Sequence, residues 1–287
     1  MSQGDLFVGE KPNTTQADND QALLAKLFAN SRLYHTSSQY KEFLDFVIRL
    51  RNVAPFNAML LQIQKPGLRF VASQYDWLHT YNRIVTEGSR PLLIMRPFGP
   101  VALVYDIEDT DGEKLPEDVE RAFRATGTMS EETLAILLRR LESKRIYAKS
   151  LPWGEGKAGL IRALKRSLNK KEKSRYEVQL NANHSPTVKF STLVHELAHL
   201  YLGHLGNDVC LKIRDRSDRS HEEEEIEAES AAYMVCHRQG IKPNSENYLS
   251  NFLSGNTHVI SPDAYAICKA AGSVEAALGI GSKMRFG

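Results

Sequence analysis

Cysteine is scarce: Cys210, Cys236 and Cys268 are the only three among 287 residues, and no CxxC pair occurs. A disulfide scaffold and a cysteine-rich zinc ribbon are thereby excluded, and a reducing, cytoplasmic setting is expected. An excess of either charge is missing too. Thirty-seven basic against 35 acidic residues leave +2, which argues against a surface built wholly as a nucleic-acid clamp but leaves room for a local basic patch. No run nears the roughly 18 apolar residues of a membrane span, so no membrane partner is expected. The opening MSQGDLFVGEKPNTTQADND lacks the basic start and apolar stretch of a signal peptide. What is present is 42% hydrophobic and 25% charged residues, enough for a buried core, in a length that suits about two domains.

Residues 1–18 are polar and read as a disordered tail. Helical spacing of apolar residues then recurs over Asp20–Phe28 and Tyr40–Leu50, and Pro55 breaks the chain just before a third helix over 56–64. Pro66-Gly67 is a turn, residues 69–73 a short strand, and an aromatic helix follows around Tyr75, Trp77 and Tyr81. Residues 91–96 and 101–107, joined across Phe98-Gly99-Pro100, read as a hairpin. The first part, 19–112, is thus expected to pack helices on a small antiparallel sheet. A breaker-rich stretch from Asp109 to Pro116 marks a boundary, and residues 113–287 form the second part. There Ser130 caps a helix with acids in its first turn, Tyr176–Asn181 alternates as a strand, and Ser185-Pro186 turns into a helix over 188–201. Another helix runs from about Glu222 to Val235. The fold class is α+β. Between Arg139 and Arg175, thirteen basic residues face three acidic ones, which reads either as a solvated face or as a patch for an acidic partner.

The sharpest signal is His195-Glu196-Leu197-Ala198-His199. Residues i and i+4 share a helix face, so both imidazoles can reach one metal ion. Glu196, about 100° round the helix, can address a metal-bound water instead. Catalytic zinc takes three protein ligands and keeps one position open. A metzincin would set glycine at 202 and histidine at 205, but both are leucine, so that class is excluded. His204 continues the helix and, on a helical wheel, points about 140° from His199. It reads as a helix-end residue or as a group that polarises the substrate. The third ligand is sought in the acidic helix from His221, where Glu225 and Glu229 share a face. Thermolysin-like (gluzincin) enzymes, which the pattern resembles, use a downstream helical glutamate as ligand and a second acid to orient a histidine. Glu225 on the metal with Glu229 behind a histidine fits that logic, and the reverse assignment stays open. Ala228, Ala231 and Ala232 allow the two helices to pack closely.

Together, Tyr176–Pro186, Lys189–His204 and Glu225–Tyr233 resemble the ImmA/IrrE metallopeptidase family over about residues 145–240. The resemblance implies a minimal gluzincin-like fold with Zn²⁺ and cleavage of a protein substrate such as a helix-turn-helix repressor of a mobile element or stress regulon. One departure is Glu229, where the family more often carries Asn, and this variant looks closer to an ArdC/LtrC-like branch. Phe56–Gln64, Val71–Trp77, Gly88, Leu92–Pro97 and Val104–Ile107 resemble the N-terminal domain of ArdC-type antirestriction proteins, which binds single-stranded DNA. The basic turn typical there is replaced by Thr86-Glu87-Gly88-Ser89-Arg90, removing charges that would hold phosphates. Tyr75, Trp77, Tyr81 and Phe98 read either as core or as base-stacking groups.

Two functions are therefore carried forward. One is a zinc endopeptidase with His195, His199 and Glu225 on the metal, Glu196 as general base, and an extended substrate added to the Tyr176–Asn181 strand. Its candidates for stabilising the transition state are His204, His221, Tyr233 and His258. The other is a single-stranded DNA-binding antirestriction-type protein with a structural or vestigial zinc site.

Overall fold

The structure, a computed structural model, describes residues 37–96, 101–115, 127–154, 156–166, 172–242, 262–282 and 284. The expected tail, the helix over Asp20–Phe28, Phe98 and His258 lie outside the described residues. Seven helices and three small sheets are described, so the α+β class holds.

In the first part, α1 (Ser37–Arg49) and α2 (Pro55–Gln64) pack on a sheet of β1 (Val71–Ala72), β4 (Val101–Asp106) and β3 (Leu92–Met95). Pro55 is the first residue inside α2 rather than just outside it, a position where its missing N–H is not needed. The expected hairpin is present, with Leu92 opposite Val104 and Met95 opposite Val101. Its outer edge is closed by amide side chains of α2. Asn57 exchanges two hydrogen bonds with the backbone of Met95 (2.9 and 3.0 Å), and Gln64 two with Leu93 (both 2.8 Å). Spaced seven residues apart, the pair mimics a neighbouring strand and leaves no ladder groups open there. Ser73 caps α3 (Gln74–His79). Trp77 is fully buried, edge-on to Phe70, and donates its indole N–H to Tyr105 O at 3.0 Å. Trp77 is thus core, whereas Tyr75 is exposed.

The breaker-rich stretch also hides a strand. Thr110–Gly112 (β5) pairs with Arg83–Val85 (β2), and Arg83 fixes the pairing with hydrogen bonds to Thr110 Oγ1 and Thr110 O.

Helix α4 (Glu131–Ser143), capped by Ser130, opens the second part. A sheet in the order β6 (Ile146–Leu151), β8 (Arg175–Asn181), β7 (Gly159–Lys165) follows, parallel between β6 and β8 and antiparallel between β7 and β8. The strand at Tyr176–Asn181 is therefore central. Both its edges are paired, so substrate cannot add to it, and β7 is an edge strand of the sheet. Ala158 O accepts from Asn181 N–H. Antiparallel alternation then turns the peptide groups of Gly159, Ile161 and Ala163 outward.

Helices α5 (Pro186–Leu202), α6 (His221–Arg238) and α7 (Ala264–Leu278) pack together. Ala228, Ala231 and Ala232 are buried between them as their size allows. One hydrophobic core joins Leu44 and Val47 of α1 and Leu50 just after it to Leu193, Leu197, Val235 and Ile267 of the second part. Arg238 ties the parts at their seam. Its buried guanidinium meets Glu275 at 2.6 Å and donates to the carbonyls of Val47, Leu50 and Val53 at 2.7–2.9 Å. These carbonyls lie at and just beyond the end of α1, where the helix leaves acceptors over; that of Leu50 also accepts from Val53 N–H. Much of the basic stretch is likewise committed to the fold. Arg140 caps the carbonyls of Leu278 and Gly279, Arg162 pairs with Glu177, and Arg175 and Lys157 lie over Tyr147 and Trp153. Among the described residues no helix is long and apolar enough to cross a membrane.

Candidate metal centre

Helix α5 starts cleanly, with Ser185 accepting from Val188 N–H and Pro186 at the first position. It is buried along Leu193, Val194, Leu197 and Ala198. That leaves His195, Glu196 and His199 on its other side. Helix α6 starts with a capping box, in which Ser220 and Glu223 satisfy each other's backbone donors. The first-turn acids are thus accounted for by the helix terminus. Those further along turn inward.

His195 Nε2 and His199 Nε2 lie 3.1 Å apart. Glu225 reaches both, with Oε2 at 3.5 Å from His195 Nε2 and Oε1 at 3.4 Å from His199 Nε2. These three residues offer ligand atoms all within 4.8 Å of one another. A tetrahedral zinc ion with bonds of about 2.0–2.1 Å needs ligand atoms about 3.3 Å apart, so the cluster has the size of such a site. Glu229 stands behind it, with Oε2 3.2 Å from His195 Nδ1. Of the two acids on this face, Glu225 meets the imidazole nitrogens that converge and Glu229 meets one that points away.

The charges agree with this arrangement. Burial pulls the His195 imidazole down, but the Glu225 and Glu229 carboxylates outweigh it and raise it to about 10. Hydrogen bonds from His195 and His199 hold Glu225 well below the usual carboxylate range. Burial lowers His199 despite Glu225. Burial raises Glu196, opposed by the charge of His195 and the Ile161 amide.

Beside the cluster lies a cleft of about 430 Å³ lined by Gly156, Gly159, Thr192, His195, Glu196 and Lys242 among others. Gly159 comes so close to α5 that a methyl group there would meet Thr192 Cγ2 at 2.4 Å and Glu196 Oε1 at 3.2 Å. The edge strand β7 thus runs directly past the general-base candidate.

The other candidates fall differently. His204 does not continue the helix. Gly203 ends α5 in the left-handed region (φ +88°), where a side chain would also strike Arg214 O at 2.0 Å. The chain reverses there, and His204 returns to put Nδ1 2.9 Å from His199 Nδ1. The helical-wheel angle of 140° is overturned by that cap. His204 is buried against Glu227, whose carboxylate is 2.7 Å from Arg216. His221 is exposed, with Nδ1 3.8 Å from Glu225 Oε1. Tyr233 stacks on His237, with ring centroids 4.2 Å apart. Sequence reasoning missed strand β7 with Gly159, and Glu227, which was hidden in a run of acids assigned to the helix start. Burial is what singles Glu227 out, and sequence does not carry it.

A two-histidine, one-glutamate cluster on a helix pair beside a small sheet is an arrangement that could hold one metal ion. Residues 154–237 match the model of the Peptidase_M78 family, described as the IrrE N-terminal-like domain. This segment holds α5, most of α6 and every ligand candidate, and the match supports a metallopeptidase kind. Among solved structures the chain is similar to the antirestriction protein ArdC from the R388 plasmid, in two forms. The metal-free one has 17% identity, covering 85% of this chain and 99% of that chain, with a TM-score of 0.35. The Mn(II)-bound one has 20% identity, covering 84% and 96%, with a TM-score of 0.36. No curated protein matches significantly. Both matches carry the names that the sequence motifs resemble.

Proposed function

We propose that this protein is a zinc-dependent endopeptidase that cleaves a regulatory protein, with a helix-turn-helix repressor as the substrate type, in the cytoplasm. The observation that carries the reading is the convergence of His195 Nε2, His199 Nε2 and Glu225 at tetrahedral spacing beside an intact Glu196. A purely structural site needs ligands but no general base. His195, His199 and Glu225 hold the ion, and Glu229 orients His195 from behind. When bound, zinc polarises the scissile carbonyl and lowers the pKa of its water. Glu196, beside the cluster and raised by burial, would accept a proton from the attacking water and return it to the leaving amine. An extended substrate adds to the outer edge of β7, where the outward peptide groups of Gly159 and Ala163 can pair with it, the Ile161 amide being turned to Glu196. The small first part, residues 19–112, serves recognition in this reading.

Elemental analysis of purified wild type beside His199→Ala tests the site. About one zinc per chain, lost in the variant, is expected. Glu196→Gln should keep the metal and lose cleavage of a peptide library read by mass spectrometry. A protein that takes up no zinc overturns the proposal and favours the nucleic-acid reading. Salt-sensitive binding of a single-stranded oligonucleotide would then be the property to measure.

A further inference from the structure

The two histidines of the cluster are supported unequally. His195 Nδ1 meets the Glu229 carboxylate directly at 3.2 Å. His199 Nδ1 meets no carboxylate. It meets another imidazole, His204, at 2.9 Å. His204 and Glu227 are both buried, with side chains 2% and 3% exposed, and His204 Nε2 lies 3.4 Å from Glu227 Oε2. Arg216 holds the other oxygen, Glu227 Oε1, at 2.7 Å.

The proton positions along this chain follow from donor chemistry. The Arg216 guanidinium 2.7 Å from Glu227 Oε1 makes Glu227 the anionic, accepting partner of this chain. An ionised carboxylate only accepts, so His204 carries its proton on Nε2. With an ion on His199 Nε2, His199 carries its proton on Nδ1 and donates it to the Nδ1 of His204 2.9 Å away, which is left to accept because the His204 proton faces Glu227. With an ion held between Glu225 and His195, that leaves the His199 Nε2 lone pair for the metal; without one, Nε2 faces the Glu225 carboxylate instead. The reverse arrangement would put a proton on His199 Nε2, which no metal ion tolerates.

We infer that His204 and Glu227 are positioning residues that fix the tautomer and ring plane of His199 for metal binding, a role resting on the metallopeptidase reading above. The three acids at 225, 227 and 229 then divide the labour. Glu225 faces the ion, Glu229 buttresses one histidine, and Glu227 buttresses the other through an imidazole. Gly203 belongs to the device, because its left-handed turn brings His204 back onto the helix it has just left.

The test is zinc affinity of the full chain by competition with a chromophoric chelator, with the visible spectrum of the Co²⁺-loaded protein as second readout. Loss of such an outer partner commonly weakens metal binding about 10–100-fold. His204→Phe, which fills the same space, is expected to fall in that range and to shift the Co²⁺ bands. Should His204→Phe not fold, as judged by circular dichroism, the isosteric Glu227→Gln carries the test. Its amide can donate as well as accept, so the tautomer is no longer fixed, and weaker zinc binding with shifted Co²⁺ bands is again expected. Wild-type affinity and unchanged bands in the folded variants would overturn the inference while leaving the metal site standing. Failure of the wild type to bind either ion would overturn the metal reading itself.

Discussion

Replacing Gly159 by alanine puts a methyl carbon 2.4 Å from Thr192 Cγ2 and 3.2 Å from both Gln179 O and Glu196 Oε1. Ordinary carbon–carbon contact is about 3.5–4.0 Å, so Thr192 and β7 must separate by about 1 Å. Thr192 sits on α5, where a β-branched side chain has few rotamers to turn into. The strain has to be taken up by backbone movement, and overpacking of this kind costs about 1–3 kcal/mol. Alanine returns about 0.5–1 kcal/mol by restricting the unfolded chain, leaving a net loss of about 1–2 kcal/mol. For a chain of this size that lowers the melting temperature by about 2–3 °C. Thermal unfolding by circular dichroism reads it. Thr192→Ser removes the methyl group that is struck, so the double variant should recover most of the loss relative to Thr192→Ser alone. Because the same methyl group presses on Glu196, cleavage should fall further than stability accounts for. An alanine variant as stable as the wild type, or no coupling between the two positions, would refute the close approach of β7 to α5.

Glu225→Ala should abolish zinc binding, whereas Glu229→Ala should retain it at about 10–100-fold lower affinity; equal losses in chelator competition would reverse the two roles. Arg238→Met leaves Glu275 buried without its partner and takes the side-chain donor from the carbonyls of Val47 and Val53, a loss of about 3–5 kcal/mol readable by urea unfolding. Adding Glu275→Leu should restore only part of it, since the carbonyls stay unsatisfied. In chelated protein, His195 is raised in the folded state to about 10. Its contribution to stability is therefore fully present below the unfolded value of about 6.5 and is lost as pH rises towards 10. Melting temperature should decline across that window without metal. Zinc binding, which must displace the same proton, should strengthen as pH rises, with proton release visible in the buffer dependence of the binding enthalpy.

What could be read from the sequence was whatever local spacing dictates. The i, i+4 pairs His195/His199 and Glu225/Glu229 lie as their helices require, and Ser130 caps its helix as expected. The hairpin was legible because apolar alternation flanks a Pro/Gly turn. Three things were not. Gly159–Lys165 is a strand whose exposed arginine and lysine disguise its pattern, and its edge position depends on pairing order, which is non-local. Thr110–Gly112 looks like a turn and becomes a strand only because Arg83 bonds across it. His204 was misplaced by extending a helical wheel past a left-handed glycine. A cap that reverses the chain carries the next side chain back over the turn it just completed.

The seam at Arg238 bears on how such a gene can be cut and joined. The helix that carries Glu225, Glu227 and Glu229 has its far end fastened to carbonyls encoded almost two hundred codons upstream. A recombination event that moved residues 113–287 alone would deliver every metal-site side chain identified here and none of those acceptors. The transplanted half would carry Arg238 and Glu275 but not the carbonyls that take the remaining guanidinium donors, so the two halves are expected to be inherited together.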